Sequence, residues 1–229
     1  MRLPRIQNYD NSSNHEEIKI NSLDIPRMFW NLNNPKDKDK FIKKVEMIVR
    51  SSMEYHELID YLKYKMGMNF CSFFHKVSKD IYGKVKFRIE IHHEPFTLYD
   101  ITAVVLNNRI NNSTDCERID IYDIADEVME NHYAGHVGLI PLSVTVHELV
   151  HSGKVFIPLQ FLDTGYIQFY QKYKNSIMSM DGLSDMLKAK ISLSQEYAKD
   201  PSSFISILKK KYIYVAHDTY DSTPDKFEE

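Results

Sequence analysis

Two pairs of histidines stand where they could bind a metal ion. His92 and His93 are adjacent in IEIHHEP, and His147 and His151 are four residues apart in VHELVH. Imidazole is a ligand of divalent metals, and three protein ligands leave one coordination position open. We therefore expect His92, His147 and His151 to bind one ion, and His93 to point elsewhere and remain free as a general base. The isolated histidines are expected to be ordinary polar residues: His15, His56, His75, His132 and His217.

Hydrophobic periodicity indicates the elements that must position these histidines. Apolar and polar residues alternate over 85–91, which predicts a half-buried strand that ends at the adjacent pair. The apolar run 137–142 predicts a second strand. A short helix follows it and brings the other pair to one face, because residues i and i+4 are neighbours on a helix. This order predicts an ion bound between a β-ribbon and a helix.

Composition sets the class of protein. The chain has 229 residues, 43% hydrophobic and 27% charged, which is typical of a soluble globular protein with a substantial core. No apolar run approaches the roughly 18 residues of a membrane span, so we expect no membrane partner. Cys71 and Cys116 are too few for a cysteine zinc cluster, and residues 1–17 lack an apolar leader, so we expect a cytoplasmic location. The net charge of −3 argues against a charge-driven nucleic-acid binder but allows a nuclease with a local basic patch.

The rest of the chain is predicted to be mainly helical. A helical region is expected over 38–66, followed by a hairpin that pairs 69–77 with 84–92. Two helices are expected between the histidine pairs, the first with a capping-box-like start at Thr97 and Asp100. Residues 166–200 are predicted to be helical with a break near Asp181 and Gly182, before a short strand and an acidic tail. The predicted division is an irregular arm over 1–37, a domain over 38–165 with its core in 84–96 and 136–158, and a helical C-terminal region over 166–229.

The two histidine-bearing segments resemble those of HNH (His-Me finger) endonucleases. The matching segments are IEIHHEPFTLYDI and HYAGHVGLIPLSVTVHELVHSGKVFIP, and the likeness extends over about residues 50–165. An adjacent His-His followed by a helical HxxxH is also the pattern of the DNase colicins, and the chain is similar to HNH-type proteins of tailed phages. The resemblance implies an α+β fold with a ββα-metal core, a helical insertion, and helical N- and C-terminal regions.

The same resemblance implies a metal-dependent endonuclease that hydrolyses DNA phosphodiester bonds in an infected bacterial cell. His92, His147 and His151 correspond to the family's metal ligands, and His93 to the base that activates water. One divalent ion (Zn, Ni, Mg or Mn) suffices when the base is a side chain. Three basic residues flank the proposed centre and are candidates for binding substrate phosphates: Lys86, Arg88 and Lys154.

Gly138 marks a departure from the family pattern. The family has an Asn at or near this position, and that Asn orients the base histidine. His136 and Asn131 are candidates to replace it. The departure favours an alternative, a non-catalytic HNH-like phage protein that uses the metal finger as a structural element in binding or assembly. Its partners would be other phage or host proteins instead of DNA.

A further alternative uses the same two helical histidines, because residues 147–151, HELVH, match the HExxH motif. In zinc metalloproteases of this type two helical histidines bind zinc and the glutamate, here Glu148, polarises water. The helix is predicted to end near Gly153, which is short for such enzymes. The only candidates for a third zinc ligand downstream of the motif are Asp163 and Glu196. The protease interpretation also gives His92 and His93 no role.

Overall fold

The computed structural model describes residues 30–78, 88–113 and 119–200 and the short strand 214–215. The predictions for residues 1–29, Lys86, Cys116 and the acidic tail lie outside this part of the chain. The described part is an α+β structure, mostly helical, with small two-stranded sheets. The elements in chain order are α1 (Pro35–Ser51), α2 (Met53–Tyr64), β1 (Phe70–Cys71), β2 (Phe74–Ser78), β3 (Ile89–His93), α3 (Leu98–Asn112), α4 (Ile121–Tyr133), β4 (Leu139–Ser143), α5 (Val144–His151), β5 (Val155–Phe156), a 3-10 turn (Leu159–Phe161), α6 (Ile167–Lys172), α7 (Lys174–Ser179), α8 (Leu183–Lys199) and β6 (Tyr214–Val215).

The helical region predicted over 38–66 is confirmed, and it consists of two helices. Ser52 has extended backbone angles (φ −70°, ψ 148°), and its hydroxyl accepts a hydrogen bond from the Tyr55 amide at 3.1 Å. A serine in this role caps the start of a new helix, so α2 begins where α1 ends. The first helix also starts earlier than predicted, since Asn34 caps it and Pro35 occupies its first turn.

A large apolar cluster joins α1, α3 and α4, which contact one another, and α7, which packs against α3. The predicted capping box is confirmed at the start of α3, where Thr97 and Asp100 bond each other's backbone amides. Beyond the cluster, Gly182 adopts a left-handed φ of 74° at the predicted break before α8. None of the described helices combines the length and apolarity that crossing a membrane requires. Fully buried side chains of the cluster include Phe41, Val45, Ile101, Leu106, Ile124, Val128 and Ile177.

Strands β3 and β4 form an antiparallel ribbon, with Ile89 opposite Ser143 and His93 opposite Leu139. The predicted hairpin of 69–77 with 84–92 is therefore wrong for the residues that the structure describes, which leave out 84–87. In the structure β1 pairs with β2. The Ser72 amide, directly after β1, donates to the carbonyl of Pro141 in β4 at 2.9 Å, so β1 lies beside β4. Alternating hydrophobicity indicates that a segment is a strand, but it does not identify the partner of that strand.

The ribbon, α5 and β5 enclose a second, smaller apolar cluster. Strand β4 leads directly into α5, and the Ser143 hydroxyl caps the helix by accepting from the Val146 amide at 3.5 Å. This immediate connection holds α5 against one face of the ribbon. Gly153, with a φ of 68°, follows the end of the helix. The buried members of the cluster are Cys71, Phe73, Ile89, Ile140, Leu142, Val146, Val155 and Ile157.

Candidate metal centre

The two faces of the ribbon differ because successive residues of a strand point to opposite sides. Glu90 and His92 lie on the face that α5 covers. The ring centroid of His92 is 5.0 Å from that of His147 and 5.1 Å from that of His151, and the two helical rings are 4.4 Å apart. The structure thus brings together all three histidines that the sequence predicts as ligands.

The nitrogens of these three side chains have the spacing of a metal-ligand set. One ligand atom from each lies within 4.8 Å of the others. The Nε2 atoms of His147 and His151 are 3.0 Å apart, and two nitrogens bound to one tetrahedral zinc ion are separated by roughly 3.4 Å. His92 is buried, His147 is half-buried and His151 is exposed, so the cluster opens to solvent on its helical side.

Glu90 fixes the orientation of one of the rings. The Nδ1 atom of His147 lies 2.6 Å from Oε2 of Glu90, so the carboxylate holds the ring proton on Nδ1 and leaves the lone pair on Nε2, beside His151. Carboxylates that accept from the outer nitrogen of a metal-binding histidine are common in metal sites. Arg88 donates from Nε to Oε1 of Glu90 at 2.8 Å. This predicted phosphate-binding residue is therefore engaged with Glu90, although most of its side chain is exposed.

Glu94 stands beside His92 in a similar way. Its Oε2 is 3.5 Å from Nε2 of His92, and its carboxylate also accepts from Nζ of Lys190 in α8. The Lys190 ammonium donates further to the Pro95 carbonyl at 3.1 Å. Burial alone would raise the pKa of Glu94, but its contacts with His92 and Lys190 lower that pKa below the usual range. The carboxylate is therefore charged at neutral pH.

The helical histidines favour the neutral form that binds metal ions. Desolvation lowers the pKa of His147, as does the neighbouring His92, while Glu90 acts in the opposite direction. Desolvation and the adjacent His147 likewise lower the pKa of His151. At neutral pH both imidazoles therefore carry a free lone pair.

His93 lies on the other face of the ribbon, with only 6% of its surface exposed. Its Nε2 is 2.9 Å from Nε2 of His132 in α4, and Nδ1 of His132 donates to the Val128 carbonyl at 2.7 Å. His132 thus accepts at Nε2, so His93 carries its proton on Nε2 and its lone pair on Nδ1. The structure differs here from the expected free imidazole, since one ring nitrogen is engaged.

Burial keeps this histidine pair neutral. Desolvation and the neighbouring His132 lower the pKa of His93 well below its usual value. Desolvation lowers the pKa of His132 to about 4, against an opposing hydrogen bond to Val128. His132 is one of the histidines expected from the sequence to be ordinary polar residues. The signal that was available is its place on the apolar face of α4, four residues after Val128 and eight after Ile124.

Gly138 has no room for a side chain. A Cβ atom there would collide with the backbone carbonyl oxygen of Glu94, which explains why this position is a glycine. Neither predicted replacement contacts His93 through a hydrogen bond. Asn131 donates to the Tyr173 hydroxyl at 3.0 Å, and Nδ1 of His136 is buried without a hydrogen-bond partner among the described residues.

The remaining candidates lie around the centre without joining it. Lys154 is exposed three residues beyond His151. Within the described ranges the metal-ligand cluster contains neither Asp163 nor Glu196. The helix that carries HELVH is eight residues long and ends at His151, so the expectation of a short helix is confirmed. Glu148 is exposed on that helix.

Fold and site together define an α+β protein with a three-histidine cluster between a β-ribbon and a short helix. The model of the bacteriophage G278-like virion protein family matches residues 3–219, and the chain belongs to this family. The expected phage origin is thereby confirmed. No curated protein and no solved structure matches the chain.

Proposed function

We propose that this chain is a metal-binding component of the phage particle. His92, His147 and His151 hold one divalent ion that joins β3 to α5. The observation that carries the proposal is the convergence of their three nitrogens within 4.8 Å of one another, from two separate elements. The family to which the chain belongs supports the particle as its location, and other phage proteins are then its partners.

The chemistry of the ligands indicates the class of ion. An all-imidazole set favours zinc or nickel over magnesium, which prefers oxygen ligands. The outer contact of Glu90 with His147 is typical of zinc sites, since a carboxylate makes the ligand more basic and fixes its ring. An ion at this place would strengthen the small apolar cluster, which has few buried side chains of its own.

Metal titration of the chelator-treated protein, in competition with a chromophoric chelator, tests the proposal. We expect one equivalent of Zn²⁺ to bind to the wild-type protein, and His147→Ala and His151→Ala to lose that binding. His56→Ala is the matched control, because His56 is exposed on α2, outside the cluster. Absence of stoichiometric binding by folded wild-type protein, or equal binding by the ligand variants, would overturn the proposal.

A second candidate function is hydrolysis of DNA phosphodiester bonds at the same centre. Three ligands leave a coordination position open, as in catalytic zinc sites, and the cluster faces solvent at His151. The order β3, β4, α5 also follows the ββα arrangement implied by the HNH resemblance. A divalent ion supplies stabilisation of charge on the phosphate and on the leaving oxygen.

In this function His93 is the base. Its contact with His132 leaves the lone pair on Nδ1, and burial keeps the ring neutral. The same lowered pKa makes it a weak base, and it lies on the ribbon face opposite the histidine cluster, which is why the structural role is the first candidate. His132 would act as the positioning residue that replaces the family's Asn. Arg88 and Lys154 would bind phosphate oxygens, in keeping with their exposure.

Plasmid nicking with added Mg²⁺, Mn²⁺, Ni²⁺ or Zn²⁺ tests this second candidate. We expect His93→Ala to abolish cleavage and to keep the metal, and Glu148→Gln to cleave normally. Cleavage by His93→Ala at the wild-type rate would rule out His93 as the base. Proteolysis that is lost in Glu148→Gln and kept in His93→Ala would instead support the HExxH alternative. Metal binding without any hydrolysis leaves the structural role.

A further inference from the structure

We infer that Glu94 and Lys190 form a positioning pair that couples the metal centre to helix α8. The inference rests on the proposed metal binding by His92 and its two helical partners. Neither residue belongs to the three-histidine ligand set, so the inference assigns a function to an ion pair outside that set. The consequence is that changes in α8 alter metal affinity, and that the metal stabilises α8.

The pair bridges two parts of the molecule that are far apart in sequence. Glu94 follows directly after β3 and is buried, and its two oxygens divide between His92 and Lys190. Lys190 lies in the middle of α8 and also donates to the Pro95 carbonyl at 3.1 Å. The ammonium thus holds both the side chain of Glu94 and the backbone next to it.

A carboxylate in this position determines how His92 can bind an ion. Its Oε2 lies 3.5 Å from Nε2 of His92, so it acts on the outer side of the ring as Glu90 acts on His147. Such outer carboxylates orient the ligand and raise its basicity. Glu94 is buried, so loss of the Lys190 ammonium would leave its carboxylate without its ion-pair partner and would disturb its place beside His92.

Two further contacts of α8 with described residues are made to the 3-10 turn. The Ser194 hydroxyl accepts from the Leu159 amide at 3.0 Å, and Phe161 packs edge-on against Tyr197 with ring centroids 5.7 Å apart. These contacts seat the helix on the 3-10 turn. Lys190 instead contacts Glu94 directly, so a change at this residue of α8 would reach the side chain beside His92.

Zinc affinity measured on the full-length protein tests the pair. We expect Glu94→Gln to weaken binding about 10- to 100-fold, the usual effect of losing an outer ligand partner. Lys190→Met should weaken it by about 5-fold or more, the lower end of typical coupling between sites. Lys188→Met is the matched control, since Lys188 lies on the same helix, is exposed and pairs only with neighbouring Asp185 among its contacts with described residues. It should bind zinc like the wild-type protein.

Hydrogen–deuterium exchange gives a second measurement. If Lys190 only stabilised the fold, its substitution would not change the effect of zinc on exchange in α8. Coupling is reciprocal, so zinc should slow amide exchange in peptides covering 183–199 of the wild-type protein and of Lys188→Met. The slowing should be absent in Lys190→Met. If Glu94→Gln fails to fold, Lys190→Met still carries the test, because the lysine is less buried than the glutamate.

Two failures are distinguishable. If the wild-type protein binds no zinc, the proposed function is wrong and the coupling has no basis. If the wild-type protein binds zinc and loses it in His147→Ala, but Glu94→Gln and Lys190→Met bind as tightly as Lys188→Met, the metal centre stands and the positioning pair is wrong. Zinc-dependent protection of α8 that persists in Lys190→Met would also overturn the coupling.

Discussion

The two faces of the β3–β4 ribbon carry neighbouring histidines into opposite environments. On the α5 face His92 meets two other imidazoles and a charged carboxylate, and the cluster opens to solvent. On the opposite face His93 contacts one imidazole of α4, and both rings are buried beside the large helical cluster. Both histidines are buried to nearly the same degree, with 5% and 6% of their surfaces exposed. Burial therefore does not distinguish a ligand candidate from a core residue here, and the partners do.

The comparison also shows how a strand can serve two purposes at once. On the α5 face three ring nitrogens lie close enough together for their lone pairs to bind one ion. On the other face His93 donates to His132, and His132 donates to the Val128 carbonyl, so the contact between the two rings needs no ion. Four predictions test this difference, from the largest expected effect to the smallest.

Removal of a ligand should affect only the α5 face. At a zinc concentration about 1,000 times Kd, the ion should raise the free energy of unfolding of the wild-type protein by about 4.1 kcal/mol. We expect His147→Ala to abolish this increase and His132→Gln to keep it. Chemical denaturation with and without zinc measures both. Zinc stabilisation that depends on His132 as much as on His147 would mean that the two faces form one site.

The opposite face should respond to pH in the metal-free protein. The pKa of His132 is lowered to about 4, whereas an unfolded histidine titrates near 6.5. Between these values the unfolded chain binds the proton and the native chain does not, so stability falls as pH falls from 6.5 towards 4. The contribution from His132 is about 3 kcal/mol. Denaturation across this range should show a shallower loss for His132→Gln, and parallel curves would contradict the assignment.

Gly138 directly precedes β4 and packs closely against Glu94, the residue after β3. This contact holds the two strands together, so both faces of the ribbon depend on it. Gly138→Ala places a Cβ against the Glu94 carbonyl oxygen, which cannot give way as a flexible side chain would. We expect a loss of about 1–3 kcal/mol in unfolding free energy, the usual cost of overpacking. Gly165→Ala serves as a control, because its new Cβ would meet only the amide end of the Gln168 side chain. Equal stability of the two variants would show that the ribbon tolerates a side chain at 138.

Glu90 should tune the α5 face without changing the opposite one. Glu90→Gln removes the charge that holds the proton on Nδ1 of His147. We expect zinc affinity to fall about 10-fold, at the lower end for outer-sphere partners, because Glu90 is less buried than Glu94. The pH dependence of the metal-free protein between 4 and 6.5 should keep its His132 contribution. Calorimetric titration with zinc gives the affinity, and unchanged binding would make Glu90 a surface partner of Arg88 alone.

Much of the local structure could be predicted from the sequence. The capping box at Thr97, the helix that carries His147 and His151, and the break at Gly182 all follow from short-range signals, and each is present in the structure. The three-histidine cluster was also predictable, since strand alternation and helical spacing put its members on defined faces. The helical region over 38–66 also follows from its apolar spacing, although the spacing does not mark Ser52 as the cap between its two helices, because a serine is as compatible with a helix surface as with a cap.

The errors concern contacts between segments that are far apart in the chain. The partner of β3 is β4, and the partner of His93 is His132, and neither pairing has a local signal. The same holds for Glu94, whose contact with Lys190 joins the end of β3 to α8. The tightness around Gly138 is likewise a property of the folded ribbon, because only the approach of the Glu94 carbonyl excludes a side chain.

The sequence by itself determined which residues can act as ligands and which faces of their elements they occupy, because helical and strand periods are fixed by backbone geometry. Only the tertiary structure decided which faces meet. It placed His92 against α5 and His93 against α4, since packing two apolar clusters on opposite sides of one ribbon leaves each histidine with different neighbours. Those neighbours set the ring tautomers, the direction of the pKa shifts and the place where an ion can bind.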